Sequence, residues 1–465
     1  MLDVLVSAWP FGTLRASSFH SPLRRAPAGV RVRTMVPHLV TALNGPINEL
    51  EARILDSMPA IERWFRLEWM EHTPPFYTSA DIRNAGFKLA PVDTNLFPGG
   101  WNNLTPAMLP LAVQAAMAAI EKICPEAKNL LLIPESHTRN SHYLANVARL
   151  RQIFTQAGLN VRLGTLDPSV DAPVSFDLPD GESLTVEPLL RSKRRLGLKN
   201  FDPCTVLLNN DLSAGIPDVL ENLHEQYLLP PLHAGWAVRR KSQHFQAYEE
   251  VAKKFAKLLG MDSWLINPLF THCGEVNFSE AQGLECVKTH TDALLAKVRR
   301  KYKEYGITEK PFVVVKADNG TYGMGIMTVR DVKELDDLNR RTRNKMSVVK
   351  DGQEVSRVII QEGVPTYERL NEAVAEPVVY MMDRYVVGGF YRVHAERGVD
   401  ENLNSPGAKF VPLAFAESTQ LPRRGAKPGA SAPNRFYMYG VIGRLAMLAA
   451  SYELEATDPN AEVYD

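Results

Sequence analysis

The most constraining feature of this 465-residue sequence is an apolar run that ends in a lysine and enters a glycine-rich loop. The run Phe312 to Lys316 has the β-branched composition of a buried strand. The segment Gly325 to Val329 beyond the loop reads as a second strand. The loop between them carries three glycines, Gly320, Gly323 and Gly325. These residues predict a tight turn between two antiparallel strands, with a cation on the first strand.

A loop of this kind lets backbone N–H groups approach phosphate oxygens, because glycine presents no side chain. The Lys316 ammonium would neutralise phosphate charge. No Gly-Lys-Ser/Thr sequence follows, which excludes a Walker A loop, and the next element is a strand, which excludes a dinucleotide fingerprint. A plain glycine-rich hairpin has the same local pattern, so the order of the elements downstream decides between the two.

That order resembles the ATP-grasp fold of glutathione-synthetase-like enzymes. Val358 to Val364 resembles the hinge strand that meets adenine and ribose, and a hairpin turning at Asp383-Arg384 ends in Arg392, which resembles the arginine facing the transferring phosphoryl group. The resemblance implies that Lys316 and Arg392 are catalytic. It also implies an ATP site formed by Lys316, Gly320, Gly323, Gly325, Gln361 and Glu362.

The remaining sequence predicts a mixed α/β (α+β) fold. Residues 49–71 have helical periodicity, and Pro59 should kink or divide that helix. Residues 81–103 read as a long polar loop, and Thr105-Pro106 reads as a helix start. Helix and strand then alternate over 105–210, which predicts a parallel-sheet domain. We therefore expect a leader over 1–34, an N-terminal α/β substrate domain over 35–240, and antiparallel ATP-grasp subdomains over 241–465.

Composition excludes several classes of protein. Basic and acidic residues number 53 each, so no whole-protein field favours nucleic acid, and no apolar run reaches the roughly 18 residues of a membrane span. Residues 1–34 carry five arginines and one acid, typical of a transit peptide or an upstream extension before Met35. The four scattered cysteines indicate reduced cytoplasmic thiols. His272 beside Cys273 has two interpretations, half of a metal site or an ordinary thiol with a polar neighbour, and the second is favoured.

Two stretches resemble the proteobacterial glutamate–cysteine ligase family: Val36 to Leu43, and Met58 to Asn103 with its unusual end from Asp93 to Asn103. The resemblance covers about residues 35–460. It implies an ATP-dependent ligase that forms γ-glutamylcysteine with Mg²⁺ through a γ-glutamyl phosphate, as the first step of glutathione synthesis. The partners implied are small molecules alone. A homo-oligomer is left open.

The same stretch offers groups of both signs, which a zwitterionic amino acid requires. We predict that four of them line the substrate site: Arg83, Lys88, Asp93 and Asn95. The alternative is an ordered loop whose side chains satisfy its own backbone. Three oxygen donors after the hairpin, Glu401, Asn402 and Asn404, are candidate Mg²⁺ ligands, and the alternative for them is a capped polar turn.

The sequence departs from the usual ATP-grasp pattern in two ways: no late strand carries Glu-x-Asn, and Glu401 stands where an arginine is common. Three other functions remain in competition. The first is an ATP-grasp ligase for a different amino acid or peptide pair, and the second is a nucleotide-binding protein without catalysis. The third, an oxidoreductase built on 105–210, is disfavoured because no Gly-x-Gly-x-x-Gly turn occurs there.

Overall fold

The computed structural model describes residues 39–40, 46–136, 140–179, 181–320, 325–336, 338–347, 354–412 and 436–461. The predicted leader over 1–34 and Gly323 lie outside these ranges. Within them, no helix is long and apolar enough to cross a membrane.

Eight helices are described: α1 (Pro46–Asp56), α2 (Met58–Glu71), α3 (Leu109–Ile123), α4 (Ser141–Gln156), α5 (Lys241–Leu259), α6 (Leu284–Glu304), α7 (Arg340–Ser347) and α8 (Phe436–Thr457). The first strands are β1 (Leu39–Val40), β2 (Tyr77–Asn84), β3 (Leu89–Asn95), β4 (Asn129–Pro134), β5 (Asn160–Thr165), β6 (Val174–Asp177), β7 (Ser183–Pro188), β8 (Leu190–Ser192), β9 (Arg195–Gly197) and β10 (Thr205–Asn209). The later strands are β11 (Tyr227–Leu229), β12 (Phe270–Cys273), β13 (Val313–Ala317), β14 (Ile326–Val329), β15 (Val358–Glu362), β16 (Arg369–Leu370), β17 (Ala373–Met382), β18 (Tyr385–His394) and β19 (Lys409–Pro412).

Three larger sheets organise the molecule. A six-stranded sheet has the order β11-β10-β4-β5-β7-β6, and its pairs are parallel except β6 with β7. A four-stranded antiparallel sheet has the order β12-β15-β13-β14. A seven-stranded sheet runs β1-β16-β17-β18-β19, with β2 and β3 added beside β17. The predicted mixed fold, with a parallel sheet first and antiparallel sheets later, is confirmed.

The sheet of β2 and β3 corrects one prediction. Residues 81–103 were expected to form a loop, yet Tyr77–Asn84 and Leu89–Asn95 are paired strands. All eight residues of β2 are buried, and its charged side chains are paired inside the molecule, Asp81 with Arg392 and Arg83 with Glu376. The boundary predicted at residue 240 divides strands of one sheet between its two sides, and the division into two functional domains stays a prediction.

The helices follow their local signals with one exception. The predicted helix over 49–71 divides at Ser57, and Pro59 sits in the first turn of α2, where its missing N–H costs nothing. Helix α3 starts at Leu109 and not at Thr105, because residues 105–108 first form a turn in which the Met108 N–H donates to the Thr105 carbonyl. The last helix, α8, is buried over most of its length and packs against α5.

The cysteines correct a second prediction. A disulfide joins Cys124, at the end of α3, to Cys204, before β10, across 80 residues of sequence. These two residues are therefore not reduced thiols in the structure. Cys273 and Cys286 are free.

Candidate active site

Two clefts meet where the seven-stranded sheet faces its neighbours. The first cleft lies between this sheet and the four-stranded sheet, and is lined by residues of β2, β3, β13, β15, β17 and β18 and by the loop after β18. The second cleft lies over the six-stranded sheet and has a volume of about 910 Å³. Three residues line both clefts: Asp81, Arg392 and Asn404. Chemistry that joins the contents of the two clefts has to occur at these residues.

Lys316 projects from β13 into the first cleft. Its ammonium donates to the Val92 carbonyl at 2.8 Å and to Gln361 Oε1 at 2.7 Å. Burial lowers the pKa of Lys316 to about 8, with Asp93 opposing this effect. The Gln361 side-chain amide keeps an N–H group, on Nε2, that has no partner among the described residues. Gly320 and Gly325 at the ends of the adjoining loop have φ of +90° and +60°, which glycine adopts readily.

Arg392 is fixed by two buried carboxylates. Glu376 of β17 lies directly opposite Arg392 of β18. The Arg392 guanidinium donates to Glu376 Oε1 at 2.6 Å and to Asp81 Oδ2 at 2.8 Å, while its Nε–H has no partner among the described residues. Arg83 holds the other oxygen of Glu376 at 2.9 Å. The network places two guanidinium groups side by side at the edge of the first cleft.

The protonation states in this network follow from its charges. Burial acts to raise the pKa of Glu376, but Arg83 and Arg392 outweigh it and hold the pKa below its ordinary value. Burial raises the pKa of Asp81, with Arg392 opposing. Burial alone would lower the pKa of Arg392, but the attraction of Asp81 and Glu376 outweighs burial and raises the pKa above its ordinary value. Arg392 is therefore a permanent cation.

Asp93 lines the first cleft and is paired there with Lys241, a residue that the sequence did not predict for the site. The Lys241 ammonium, at the start of α5, lies 2.8 Å from Asp93 Oδ1. Burial would raise the pKa of Asp93, but Lys241 and Lys316 hold it at about 2. Asp93 is thus a permanent anion between two lysines. Asn95, two residues along β3, lines the second cleft.

The structure corrects the placement of Lys88. Its ammonium is fully buried 2.7 Å from Glu362 Oε2 and 4.3 Å from the centre of the Trp264 ring, and Lys88 itself lines neither cleft. The contact of Lys88 is thus with Glu362 and not with the space of either cleft. Glu362 lines the first cleft, but its carboxylate also accepts hydrogen bonds from the Trp264 indole and the Leu269 backbone. Its side chain fixes β15 against the loop before β12.

The three candidate metal ligands lie together at the mouth of the first cleft. Glu401 Oε2 accepts from the Gly398 N–H at 2.7 Å, and Asn402 Oδ1 accepts from the Asn404 N–H at 2.9 Å. These bonds cap the turn, as the alternative interpretation expected. Each of these oxygens retains a second lone pair, and carboxylate and amide oxygens are the donors that Mg²⁺ prefers. The donor set therefore fits Mg²⁺ by its chemistry.

The second cleft lies at the carboxyl ends of β4 and β10, where open α/β sheets bind ligands. Glu135 and Asp211 follow these two strands and line it. The N-terminus of α4 also faces the cleft: Asn140 caps the helix, and Tyr143 in its first turn donates to the Asn209 carbonyl at 2.8 Å. The cleft thus combines carboxylates with the positive end of a helix dipole.

Two cleft residues that were not predicted carried detectable signals. Glu376 is an acid inside an otherwise apolar strand, which requires a buried partner. Lys241 stands at the start of a helix, where a cation is unfavourable unless a carboxylate such as Asp93 compensates for it.

A model of the family described as glutamate–cysteine ligase, GshA, matches residues 51–454. The chain belongs to this family. A crystal structure from Methylobacillus flagellatus KT, of a protein provisionally assigned as a gamma-glutamylcysteine synthetase, is similar to it at 58% identity and a TM-score of 0.83. The match covers 91% of this chain and 100% of that one. The predicted family and enzyme class are confirmed.

Two more distant structures resemble the chain weakly. A D-alanyl-alanine synthetase A from Vibrio cholerae O1 is 12% identical with a TM-score of 0.30, over 61% of this chain and 73% of that one. A glutathione synthetase-like effector from Globodera pallida is 11% identical with a TM-score of 0.33, over 78% and 79%. Neither likeness carries an argument at these scores. No curated protein matches the chain.

Proposed function

We propose that this member of the glutamate–cysteine ligase family joins the γ-carboxyl of L-glutamate to the amine of L-cysteine at the expense of ATP, through a γ-glutamyl phosphate. One observation carries the proposal: the two clefts share Arg392, Asp81 and Asn404. A nucleotide in one cleft and an amino acid in the other would meet at the Arg392 guanidinium. Transfer of a phosphoryl group from one to the other requires this arrangement.

The first cleft suits ATP. Lys316 provides a cation for phosphate oxygens, and the loop ends at Gly320 and Gly325 admit backbone donors. The unpartnered N–H of Gln361 offers a donor to the nucleotide. Arg83 adds a second guanidinium on the same side as Arg392. Asp93 keeps the neighbouring lysines in place.

The second cleft suits zwitterionic amino acids. The carboxylates of Asp211 and Glu135 would attract an ammonium group, and the N-terminus of α4 would attract a carboxylate. Asn95 lies on β3, the strand that also carries Asp93 of the first cleft. We assign Asn95 to substrate binding on this basis. The proposed substrate site does not include Lys88, which is buried against Glu362.

The reaction then proceeds in two steps. An oxygen of the glutamate γ-carboxylate attacks the γ-phosphorus of ATP, the bond to ADP breaks, and an acyl phosphate forms. The cysteine amine attacks the acyl carbon, the carbon–oxygen bond to phosphate breaks, and the amine gives up a proton. Arg392 stabilises the charge on the transferring phosphoryl group, while Asp81 and Glu376 hold its guanidinium in one orientation.

The metal is part of the proposal. Glu401, Asn402 and Asn404 would hold Mg²⁺ beside the phosphates through their oxygen atoms. When bound, the ion supplies charge that offsets the triphosphate. A cytoplasmic location is also proposed, since ATP and both amino acids are supplied there, and the oligomeric state stays an open prediction.

The test uses the purified full chain with ATP, Mg²⁺ and pairs of amino acids, with ADP measured and the product identified by mass. We expect ADP release and a γ-linked dipeptide with glutamate and cysteine together. Faster turnover of another pair, such as glutamate with serine, would favour the alternative ligase. Absence of ADP release with every pair would favour a nucleotide-binding protein.

Arg392→Met, compared with Arg384→Met, tests the meeting point of the clefts. Arg384 lies at the tip of the same hairpin with an exposed side chain. We expect Arg392→Met to lower kcat by about 100-fold or more, the usual cost of losing a group that stabilises transition-state charge. The Arg384 variant should keep its activity. Equal activity of the two variants would contradict the proposal.

A further inference from the structure

Three soft ligand atoms converge outside both clefts, in the four-stranded sheet and the helix that covers it. The Sγ atoms of Cys273 and Cys286 lie 2.7 Å apart, and His290 Nδ1 lies 3.0 Å from the first sulfur and 3.4 Å from the second. Neither cleft includes these residues in its lining. The proposed ligase reaction does not use them.

The fold brings them together from two elements. Cys273 ends β12 and is buried, while Cys286 and His290 occupy positions i and i+4 on α6, which places both on the helix face that packs on β12. His272, the histidine that neighbours Cys273 in sequence, is exposed. The histidine that completes the cluster is therefore the one contributed by α6.

Two thiols and an imidazole are ligands of thiophilic cations, whereas Mg²⁺ and Ca²⁺ take oxygen. Around a tetrahedral Zn²⁺ ion, such ligand atoms stand roughly 3.5–3.8 Å apart, as the usual bond lengths require. The separations here, 2.7 to 3.4 Å, are shorter by about 1 Å or less.

We propose that Cys273, Cys286 and His290 form a Zn²⁺ site with three protein ligands, distinct from the Mg²⁺ and ATP site. A disulfide between the two cysteines would also use close sulfurs, but it would leave unexplained the imidazole nitrogen within 3.4 Å of both. The convergence of two sulfur atoms and one imidazole nitrogen therefore favours a bound ion over a disulfide.

The position gives the site a consequence. Strand β12 pairs with β15, so that Phe270 lies opposite Gln361 and Cys273 opposite Val358. An ion joining α6 to β12 would therefore stiffen the strand behind the nucleotide side of the first cleft. Binding to the folded chain alone would also raise its thermal stability.

The experiment uses the full chain, reduced and stripped of metal with a chelator, then titrated with Co²⁺ as a spectroscopic probe and with Zn²⁺ in competition. We expect a thiolate-to-cobalt charge-transfer band that saturates at about one equivalent, as for a single three-ligand site, and that Zn²⁺ abolishes. The matched control is the double variant Cys124→Ser, Cys204→Ser, which removes the other two cysteines and should bind with the same stoichiometry. Thermal unfolding should shift upward with Zn²⁺ in both proteins.

Cys286→Ser and His290→Ala should each lose the saturable band and the thermal shift. Circular dichroism checks that these variants fold, and His290→Cys, which restores a soft ligand, should recover binding. The proposal is overturned if the wild-type chain takes up no Co²⁺ or Zn²⁺. It is also overturned if uptake survives Cys286→Ser in a folded chain, or if peptide mapping finds a Cys273–Cys286 disulfide in the chain once the reductant is removed in the presence of Zn²⁺.

Discussion

The Lys316 ammonium donates to two oxygen acceptors inside the first cleft, the Val92 carbonyl and Gln361 Oε1. Lys316→Met preserves most of the side-chain volume but removes the charge. We expect kcat/KM for ATP to fall by about 100-fold, similar to the loss of another charge-stabilising donor. Steady-state kinetics with ATP varied provide the measurement.

Lys310→Met, at an exposed position before the same strand, is the matched control and should retain full activity. Thermal unfolding of both variants separates loss of function from loss of fold. Full activity of a folded Lys316→Met would contradict the nucleotide-binding role.

The pKa of Lys316 predicts a pH dependence. Because burial lowers this pKa to about 8, the ammonium is charged below pH 8 and loses its proton above it. ATP affinity should therefore weaken as the pH rises through about 8. Lys316→Arg keeps its charge across this range and should flatten the profile. Calorimetric titration with ATP from pH 7 to 9 would give the result, and an identical profile in the variant would refute the assignment.

At the level of single residues, local patterns located the cations better than their partners. Lys316 follows an apolar run and precedes glycines, so about a dozen neighbouring residues suffice to predict its place at the end of a strand. Arg392 bonds Asp81 across 311 positions of sequence, which no local pattern encodes. Lys88 was predicted to line the substrate site because its stretch offers groups of both signs, but its carboxylate partner lies 274 positions away.

Among the elements, α8 is fixed to α5 by one buried carboxylate. Glu453 accepts from Arg239 at 2.7 Å and 2.9 Å, and its Oε2 lies 2.8 Å from His244 Nδ1. Burial would raise the pKa of Glu453, but Arg239 and His244 lower it from 4.5 to about 2. That shift corresponds to about 3 kcal/mol of the free energy of unfolding.

Glu453→Gln should therefore lower the free energy of unfolding by about 3 kcal/mol near pH 7. Since the folded-state pKa is depressed, the contribution is complete above pH 4.5 and is lost as the pH falls toward 2. The difference between wild type and variant should shrink over that window in urea denaturation. Glu455→Gln, exposed on the same helix, should change stability by less than about 1 kcal/mol. A pH-independent difference would contradict this account of the pair.

Elements with strong periodicity were predictable and buried polar strands were not. The antiparallel strands on either side of the glycine loop, the hairpin at Asp383 and the parallel strands after residue 129 follow local signals that the structure confirms. Strand β2 carries Ser79, Asp81 and Arg83, which resemble a loop in composition. Their hydrogen-bond partners lie on β17, β18 and the loop after β15. These partners are brought close only when the sheet assembles.

For the whole molecule, the disulfide between Cys124 and Cys204 closes a loop of 80 residues. Cross-linking a loop of this length restricts the unfolded chain and stabilises the fold by about 4 kcal/mol. Reduction should lower the free energy of unfolding by about this amount, measured by denaturant titration with and without reductant. Cys124→Ser with Cys204→Ser should be insensitive to reductant. If the chain is unfolded without reductant and four thiols can be alkylated, the disulfide is contradicted.

The arrangement of the two clefts could be predicted only in outline. The order of motifs from Lys316 to Asn404 indicated a nucleotide site, because each motif is local. The second cleft combines β2 and β3, the ends of β4 and β10, the start of α4, and the strands β17 and β18. Its lining residues extend from Ser79 to Phe410, and they meet only after the sheets pack. The spacing of residues along the sequence does not predict such long-range contacts.

The central claim is that a carboxylate in the second cleft receives the terminal phosphoryl group of ATP from the first. Glutamate labelled with ¹⁸O in its γ-carboxylate, incubated with ATP, Mg²⁺, cysteine and the purified chain, tests it directly. The account predicts that one ¹⁸O atom per turnover appears in inorganic phosphate, because the acyl phosphate breaks at its carbon–oxygen bond. Unlabelled phosphate formed in step with the dipeptide would contradict it.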